Sequence, residues 1–274
     1  MGRHVTTAAA ERYVVIPVEH RWQDADELVA VVERARPWAC IHLGWYADPA
    51  DYLTAVSPNA ASLASTLDLA RVLDRAGCVR MVVAGSSAEY APAPHPLSED
   101  DLVAPTTVYG SAKALANELL GSRCRPTVMT VAWARLFNVV GPGEDARRVV
   151  PSVARALLEG REILLSEGTQ VRDYVDVRDV ATALVALAGV PDGGAFNVST
   201  GREVRLREML EALADVTGDR SLLRFGQRPF ASNENRYLVG KNDRMRAVAG
   251  WKPARDMDEM ARDIMRYWEE GGGR

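Results

Sequence analysis

Short apolar strands alternate with longer helical patterns through the first half of the chain. That alternation narrows the fold more than any other feature. The runs 39–44 (Ala-Cys-Ile-His-Leu-Gly), 79–84 (Val-Arg-Met-Val-Val-Ala) and 127–136 read as strands. A helix over 58–76, with Leu63, Leu67, Leu69, Val72 and Leu73 inward, and a second helix opening at Tyr109 separate them. Residues 13–18 (Tyr-Val-Val-Ile-Pro-Val) read as a further strand, between a helix at 2–11 and one that starts at Asp24 and ends at Pro37. Strands joined through helices pair in parallel, and right-handed crossovers set helices on both sheet faces. The expected fold is α/β, a doubly wound, Rossmann-like, mostly parallel sheet. The second half is more mixed. It has helices at 149–158, 177–187, 206–216 and 256–268 and short strands at 163–165 and 195–198, which predicts a smaller lobe.

The 274 residues, 47% of them apolar, suffice for a large core. A net charge of −4 and a longest Lys/Arg run of two, Arg147-Arg148, argue against a nucleic-acid binder. No apolar run approaches the roughly 20 residues of a membrane span, and Met1-Gly2-Arg3-His4 lacks a signal-peptide core. Cys40, Cys78 and Cys124 are odd in number and scattered, as are the four histidines, so no metal-ligand spacing emerges. A cytoplasmic, reduced, metal-free protein is expected.

Tyr109-Gly110-Ser111-Ala112-Lys113 puts a phenol and an ammonium one turn apart on a helix face. A nearby cation favours the phenolate and eases proton exchange. Alone the pattern also suits an exposed tyrosine beside a solvated lysine. Gly85-Ser86-Ser87-Ala88-Glu89 follows the 79–84 strand, at the carboxyl end where ligands of parallel sheets bind. A serine hydroxyl there can bond a substrate oxygen, or the segment is a plain turn.

Four segments in order resemble the extended short-chain dehydrogenase/reductase family, in its NAD-dependent nucleotide-sugar epimerase/dehydratase branch. Gly85-Ser86-Ser87-Ala88-Glu89-Tyr90 resembles its catalytic Ser/Thr segment, and Tyr109 to Lys113 its Tyr-x-x-x-Lys. Arg135-Leu136-Phe137-Asn138-Val139-Val140-Gly141-Pro142-Gly143 and Val171-Arg172-Asp173-Tyr174-Val175-Asp176 resemble two later signatures. Weaker echoes are Asn197-Val198-Ser199-Thr200-Gly201 and Gly250-Trp251-Lys252-Pro253. The resemblance implies a dinucleotide-binding domain over 1–140 and 171–190 and a substrate-binding lobe over 141–170 and 191–274. It implies Tyr109 as acid/base, Lys113 holding the nicotinamide ribose and lowering the Tyr109 pKa, and Ser87 polarising the substrate oxygen, with Ser86 the second choice. Asn138 and Arg172 would face the nucleotide diphosphate; a turn asparagine and a surface ion pair with Asp173 or Asp176 are the alternatives. Gly2, Glu19, Gly44 and Asn59 would lie on the cofactor side. Glu89 stands where sugar dehydratases carry a base, but Ala88 replaces their acid. That argues against dehydration and leaves Glu89 a substrate-side or structural residue.

The family's first strand and its Gly-x-x-Gly-x-x-Gly turn are missing. Gly2 resembles the third glycine; the expectation is that the true start lies upstream, or that the chain closes the gap differently and binds cofactor poorly, or that it has given up the cofactor and kept the sugar pocket. Without that strand, the strands expected at 13–18 and 39–44 lose their shared partner. The expected function is an NAD(P)-dependent nucleotide-sugar epimerase or 4-ketoreductase, using NAD or NADP; the resemblance also implies a homodimer, and helices 58–76 and 107–120 suit either a four-helix interface or a face buried within the monomer. The alternative is a cofactor-free or non-catalytic relative that binds a nucleotide sugar or serves as a partner subunit.

Overall fold

Alternating side chains on two neighbouring strands divide the core into the two layers that sandwich a parallel sheet. The computed structural model describes residues 1–18, 25–121, 128–230 and 235–272. In chain order its first half holds α1 (Gly2–Ala10), α2 (Ala25–Ala35), β1 (Ala39–His42), α3 (Val56–Arg75), β2 (Arg80–Ser86), α4 (Val108–Gly121), β3 (Thr130–Leu136) and β4 (Asn138–Val140). The second half holds α5 (Val149–Leu158), β5 (Ile163–Leu164), β6 (Val171–Arg172), β7 (Tyr174–Asp176), α6 (Val177–Ala188), β8 (Gly194–Val198), β9 (Val204–Arg205), α7 (Leu206–Thr217), β10 (Leu223–Arg224), β11 (Tyr237–Leu238), α8 (Asp243–Ala249) and α9 (Met257–Glu269).

Among the described residues the main sheet runs β1-β2-β3-β8, every pair parallel. Successive strand side chains face opposite ways. Val82 and Ala84 of β2, with Ala132 and Ala134 of β3, pack under α1 and α6, where Val5, Val180 and Leu184 are buried. Met81, Val83 and Trp133 face the other layer, where α2, α3 and α4 supply Leu28, Val32, Leu69, Leu73, Ala116 and Leu120. This is the doubly wound α/β sheet that the alternation implies. A second core joins α5, α7 and α9 through Val153, Leu157, Leu210, Leu213, Ile264 and Met265.

Two expectations change. Residues 13–18 form no strand. Val14, Ile16 and Val18 are 96%, 57% and 49% exposed. Among the described residues β1 pairs with β2 alone, so nothing offers 13–18 a ladder, and an extended run without a ladder is not a strand. The strand at 195–198, expected in the smaller lobe, is instead the edge strand β8 of the main sheet, paired with β3 from Ala132↔Gly194 to Leu136↔Val198. The short helix α8 also packs on the sheet side, where Met245 is fully buried.

Candidate active site

Ser86 ends β2 and opens a single 3-10 turn, Ser87–Glu89. The sequence Ser-x-x-Glu is a capping box, in which each end of the turn satisfies the other's backbone. The Ser86 Oγ accepts from the Ala88 N–H (3.1 Å), and the Ser86 N–H donates to Glu89 Oε1 (2.7 Å). Glu89 is fully buried. Its Oε1 also accepts from the Trp133 indole (2.8 Å), and its Oε2 from Arg135 Nε (2.9 Å). Burial pushes the Glu89 carboxyl up, and Arg135, Trp133 and the Ser86 N–H pull it back. With both oxygens held by protein donors, Glu89 lies beneath the site rather than on its substrate side. The Ser-x-x-Glu spacing was the signal for that role.

Two glycines allow the close fit around this turn. A Cβ on Gly85 would run into the Trp133 indole and Glu89 Oε1. A Cβ on Gly110 would run into the Ala88 carbonyl and Pro105. Gly110 therefore lets the first turn of α4 press on the Ser87–Glu89 turn, and this brings Tyr109 to Ser86. The Ser86 side chain stands beside the Tyr109 hydroxyl. Ser87, the first choice from sequence, is 7% exposed, and its carbonyl accepts from Tyr90 N–H. Burial pushes the Tyr109 phenol above its ordinary value; the neighbouring Ser86 side chain opposes this. The lowering expected from Lys113 does not prevail.

Lys113 explains why. It is 3% exposed, and its Nζ donates to the Ala84 carbonyl at 2.6 Å. Burial pulls its ammonium down to about 7, against the pull of Glu89. The same Nζ lies 3.8 Å from the centre of the Trp45 ring and 5.8 Å from that of Tyr109. Trp45 comes just after Gly44, beyond the carboxyl end of β1. Its indole N–H donates to Asn59 Oδ1 (2.9 Å), and the Asn59 amide donates to the Tyr52 and Ala55 carbonyls (2.7 and 2.8 Å). Asn59, expected on the cofactor side, is fully buried and holds Trp45 and the 52–55 turn in place. The Tyr52 ring meets Tyr109 edge-on at 5.1 Å, and Arg148 lies 5.2 Å over Tyr52.

The later motifs meet around Asp173. Its carboxylate accepts from Thr200 N–H (2.7 Å), Thr200 Oγ1 (2.6 Å), Gly201 N–H (2.9 Å) and Gly240 N–H (3.3 Å). Asn138 is tied to the same place, its backbone N–H donating to the Asp173 carbonyl (3.0 Å) and its side-chain amide at 3.4 Å. Arg172 is half-buried on β6, next to β11, and donates to the Val171 carbonyl (2.9 Å). Just before β11, Arg236 stacks on Phe230, 3.7 Å from its ring centre. Both residues, with Arg228, Gln227 and Glu167, line a cavity of about 600 Å³. Gly2 is exposed at the start of α1, with open space where a Cβ would stand. Nearby, His4 Nε2 lies 3.0 Å from the Pro142 carbonyl. Glu19 lies outside the described residues.

Residues 2–199 match the model of the NAD dependent epimerase/dehydratase family. The chain belongs to that family. NAD dependent epimerase/dehydratase proteins are enzymes of the oxidoreductase and isomerase classes. The chain is 29% identical to GDP-6-deoxy-D-mannose reductase of Pseudomonas aeruginosa over 298 residues, covering 98% of this chain and 94% of the relative. It is 34% identical over 200 residues to UDP-glucose 4-epimerase of Mycolicibacterium smegmatis, covering 70% of this chain and 63% of that relative. The structure of RMD from Pseudomonas aeruginosa complexed with NADPH superposes with a TM-score of 0.86 at 26% identity, over 98% of this chain and 95% of that one. No described helix is long and apolar enough to cross a membrane.

Within this epimerase/dehydratase chain, sequence reasoning missed Trp45, Tyr52, Arg148 and the Arg228/Arg236 cavity. The first was within reach, because Trp45 follows the carboxyl end of a parallel strand, where ligands gather. The others come from loops whose approach to Tyr109 or to β11 no local pattern encodes.

Proposed function

We propose that the chain is a nucleotide-sugar 4-ketoreductase or epimerase in which Tyr109 exchanges the proton of a sugar oxygen. Tyr109 and Ser86, set side by side at the carboxyl end of β2 where α4 packs on the Ser87–Glu89 turn, carry this reading. Two hydroxyls side by side can share one substrate oxygen, Ser86 donating a hydrogen bond while Tyr109 gives or takes the proton. Ser86, rather than Ser87, takes the polarising role. A phenol is protonated at neutral pH, so Tyr109 can donate to a carbonyl, as both reduction and the return step of an epimerisation require.

NAD or NADP supplies the hydride acceptor or donor when bound. Lys113, one turn from Tyr109, fits a ribose hydroxyl in kind, as an ammonium with N–H groups to spare beyond the Ala84 bond. The Arg228/Arg236 cavity suits the phosphates of a nucleotide diphosphate, because guanidinium forks match phosphate oxygens. Leu115 and Leu119, both 44% exposed on α4, suit a homodimer face, which light scattering tests.

The test is turnover on a panel of GDP- and UDP-linked 4-keto sugars and 4-hydroxy sugars with NADH, NADPH and NAD, following nicotinamide absorbance and product NMR. Reduction of a 4-keto sugar is expected. No turnover on any member would sink the reading. The second reading, a cofactor-free sugar-nucleotide binder, is favoured by the Trp45 ring over Lys113. It predicts binding of the nucleotide sugar without turnover.

A further inference from the structure

Lys113 is enclosed by its own chain. Below it the Ala84 carbonyl takes one N–H, and the Trp133 ring lies 6.0 Å away. Above it stands the Trp45 indole at 3.8 Å, with the Tyr109 ring beside. Trp45 does not rest there loosely. Its indole N–H is fixed by the Asn59 side chain, and the next residue's N–H donates to Ser62 Oγ (3.1 Å), so α3 anchors this strap at two points. The strap continues over Tyr109, whose backbone N–H donates to the Leu53 carbonyl (3.3 Å). On its outer side Arg147 clasps Asp48 at 2.8 Å.

We infer that Trp45 is a gate on the cofactor side of the site, occupying the face of Lys113 that a ribose hydroxyl must reach, so that cofactor binds only as the indole leaves that face. This rests on the reading of Lys113 given above. Trp45 is a positioning residue and touches no reacting atom. The closed form offers Lys113 a stacked π face, an attractive contact for a desolvated cation. The open form is therefore a minor population, and apparent cofactor affinity falls by that fraction. The Arg147–Asp48 pair is exposed and weak, a latch that yields without large cost.

The chain has three lysines, and Lys241 and Lys252 are exposed, so they serve as internal controls for amine labelling. The experiment compares the full chain with Trp45→Ala and with Trp45→Leu, which keeps apolar bulk but loses the π face. Acylation of each lysine is followed by peptide mass spectrometry at mildly alkaline pH, where Lys113, with a pKa of about 7, is mostly neutral and nucleophilic. NADH and NADPH binding is measured by calorimetry on the same samples. We expect Lys113 to label about tenfold faster in both variants, with Lys241 and Lys252 unchanged, and at least one cofactor to bind about tenfold tighter. Unchanged Lys113 labelling overturns the gate. Equal cofactor affinity in all three proteins also overturns it and leaves the cofactor reading intact. Faster Lys113 labelling with no binding of either cofactor by any of the three overturns both.

Discussion

Arg135 Nε lies 2.9 Å from Glu89 Oε2, in an ion pair whose side chains are 4% and 0% exposed. The pair joins β3 to the turn that presents Ser86, so the site stands on a buried charge match. Removing one partner strands the other in a low-dielectric interior. Arg135→Ala is expected to cost about 3–5 kcal/mol in urea denaturation. Glu89→Gln keeps an acceptor for Ser86 and Trp133 but leaves the buried Arg135 charge unpaired, so it should cost a comparable amount. A negligible loss for Glu89→Gln would show that the charge pairing is unimportant.

Ser86 and Ser87 separate cleanly by mutation. Ser86 stands beside Tyr109, and Ser87 is buried in the turn. Ser86→Ala is expected to lower kcat about 10²-fold, as loss of one oxyanion donor does, with little change in KM for the nucleotide sugar. Ser87→Ala should leave kcat within a few-fold. The reverse ranking restores the assignment made from sequence.

Tyr109→Phe removes only the hydroxyl, while its ring contacts with Trp45 and Tyr52 remain. Turnover should fall by about 10²–10⁴-fold, the usual worth of a general acid or base, with an unchanged melting temperature. Retained turnover would remove Tyr109 from the chemistry.

Gly110→Ala places a methyl against the Ala88 carbonyl and Pro105. Backbone cannot yield as a flexible side chain can, so a loss of about 1–3 kcal/mol is expected. Activity of the folded fraction should drop as well, because α4 backs away from Ser86. A methyl accepted without loss of stability or turnover would contradict this packing.

Lys113 makes stability pH-dependent with a definite sign. Its native pKa is about 7, against 10.5 for an ordinary lysine. Between those values the unfolded chain binds a proton that the native chain lacks, so native stability rises with pH, by at most about 1.4 kcal/mol per unit. The full penalty applies below the native pKa and is gone above the unfolded one. Lys113→Met removes this contribution. The stability of wild type relative to Lys113→Met should therefore climb between about pH 7 and about pH 9 in urea titrations. A flat difference would mean that Lys113 is solvated.

Much of the architecture was legible because local pattern and final environment agree. The helix at 149–158 and the strand at 79–84 carry the periodicity of the faces they bury. Residues 13–18 carry a strand's composition just as clearly, yet no strand forms, because a ladder needs a neighbour that residues 13–18 cannot specify by themselves. In the site, the sequence brought out Tyr109, Lys113 and the neighbouring serines, with Ser87 preferred over Ser86, as chemistry-bearing types. It left Glu89 open between substrate and structure and placed Asn59 toward the cofactor, because carboxylates and amides look alike whether they face a ligand or hold up a loop.

The sequence by itself determined the α/β class and the helical spacing that puts Tyr109 and Lys113 on one face, since both follow from short-range periodicity. Only the tertiary structure decided which serine meets Tyr109 and what covers Lys113. The approach of α4 over Gly110 sets Ser86 beside Tyr109, through a contact with Ala88 22 residues away in the chain. Trp45 reached Lys113 from 68 positions away, through a strand crest and the Asn59 side chain. Burial from every side then set the charge of the lysine, and no stretch of sequence encodes that alone.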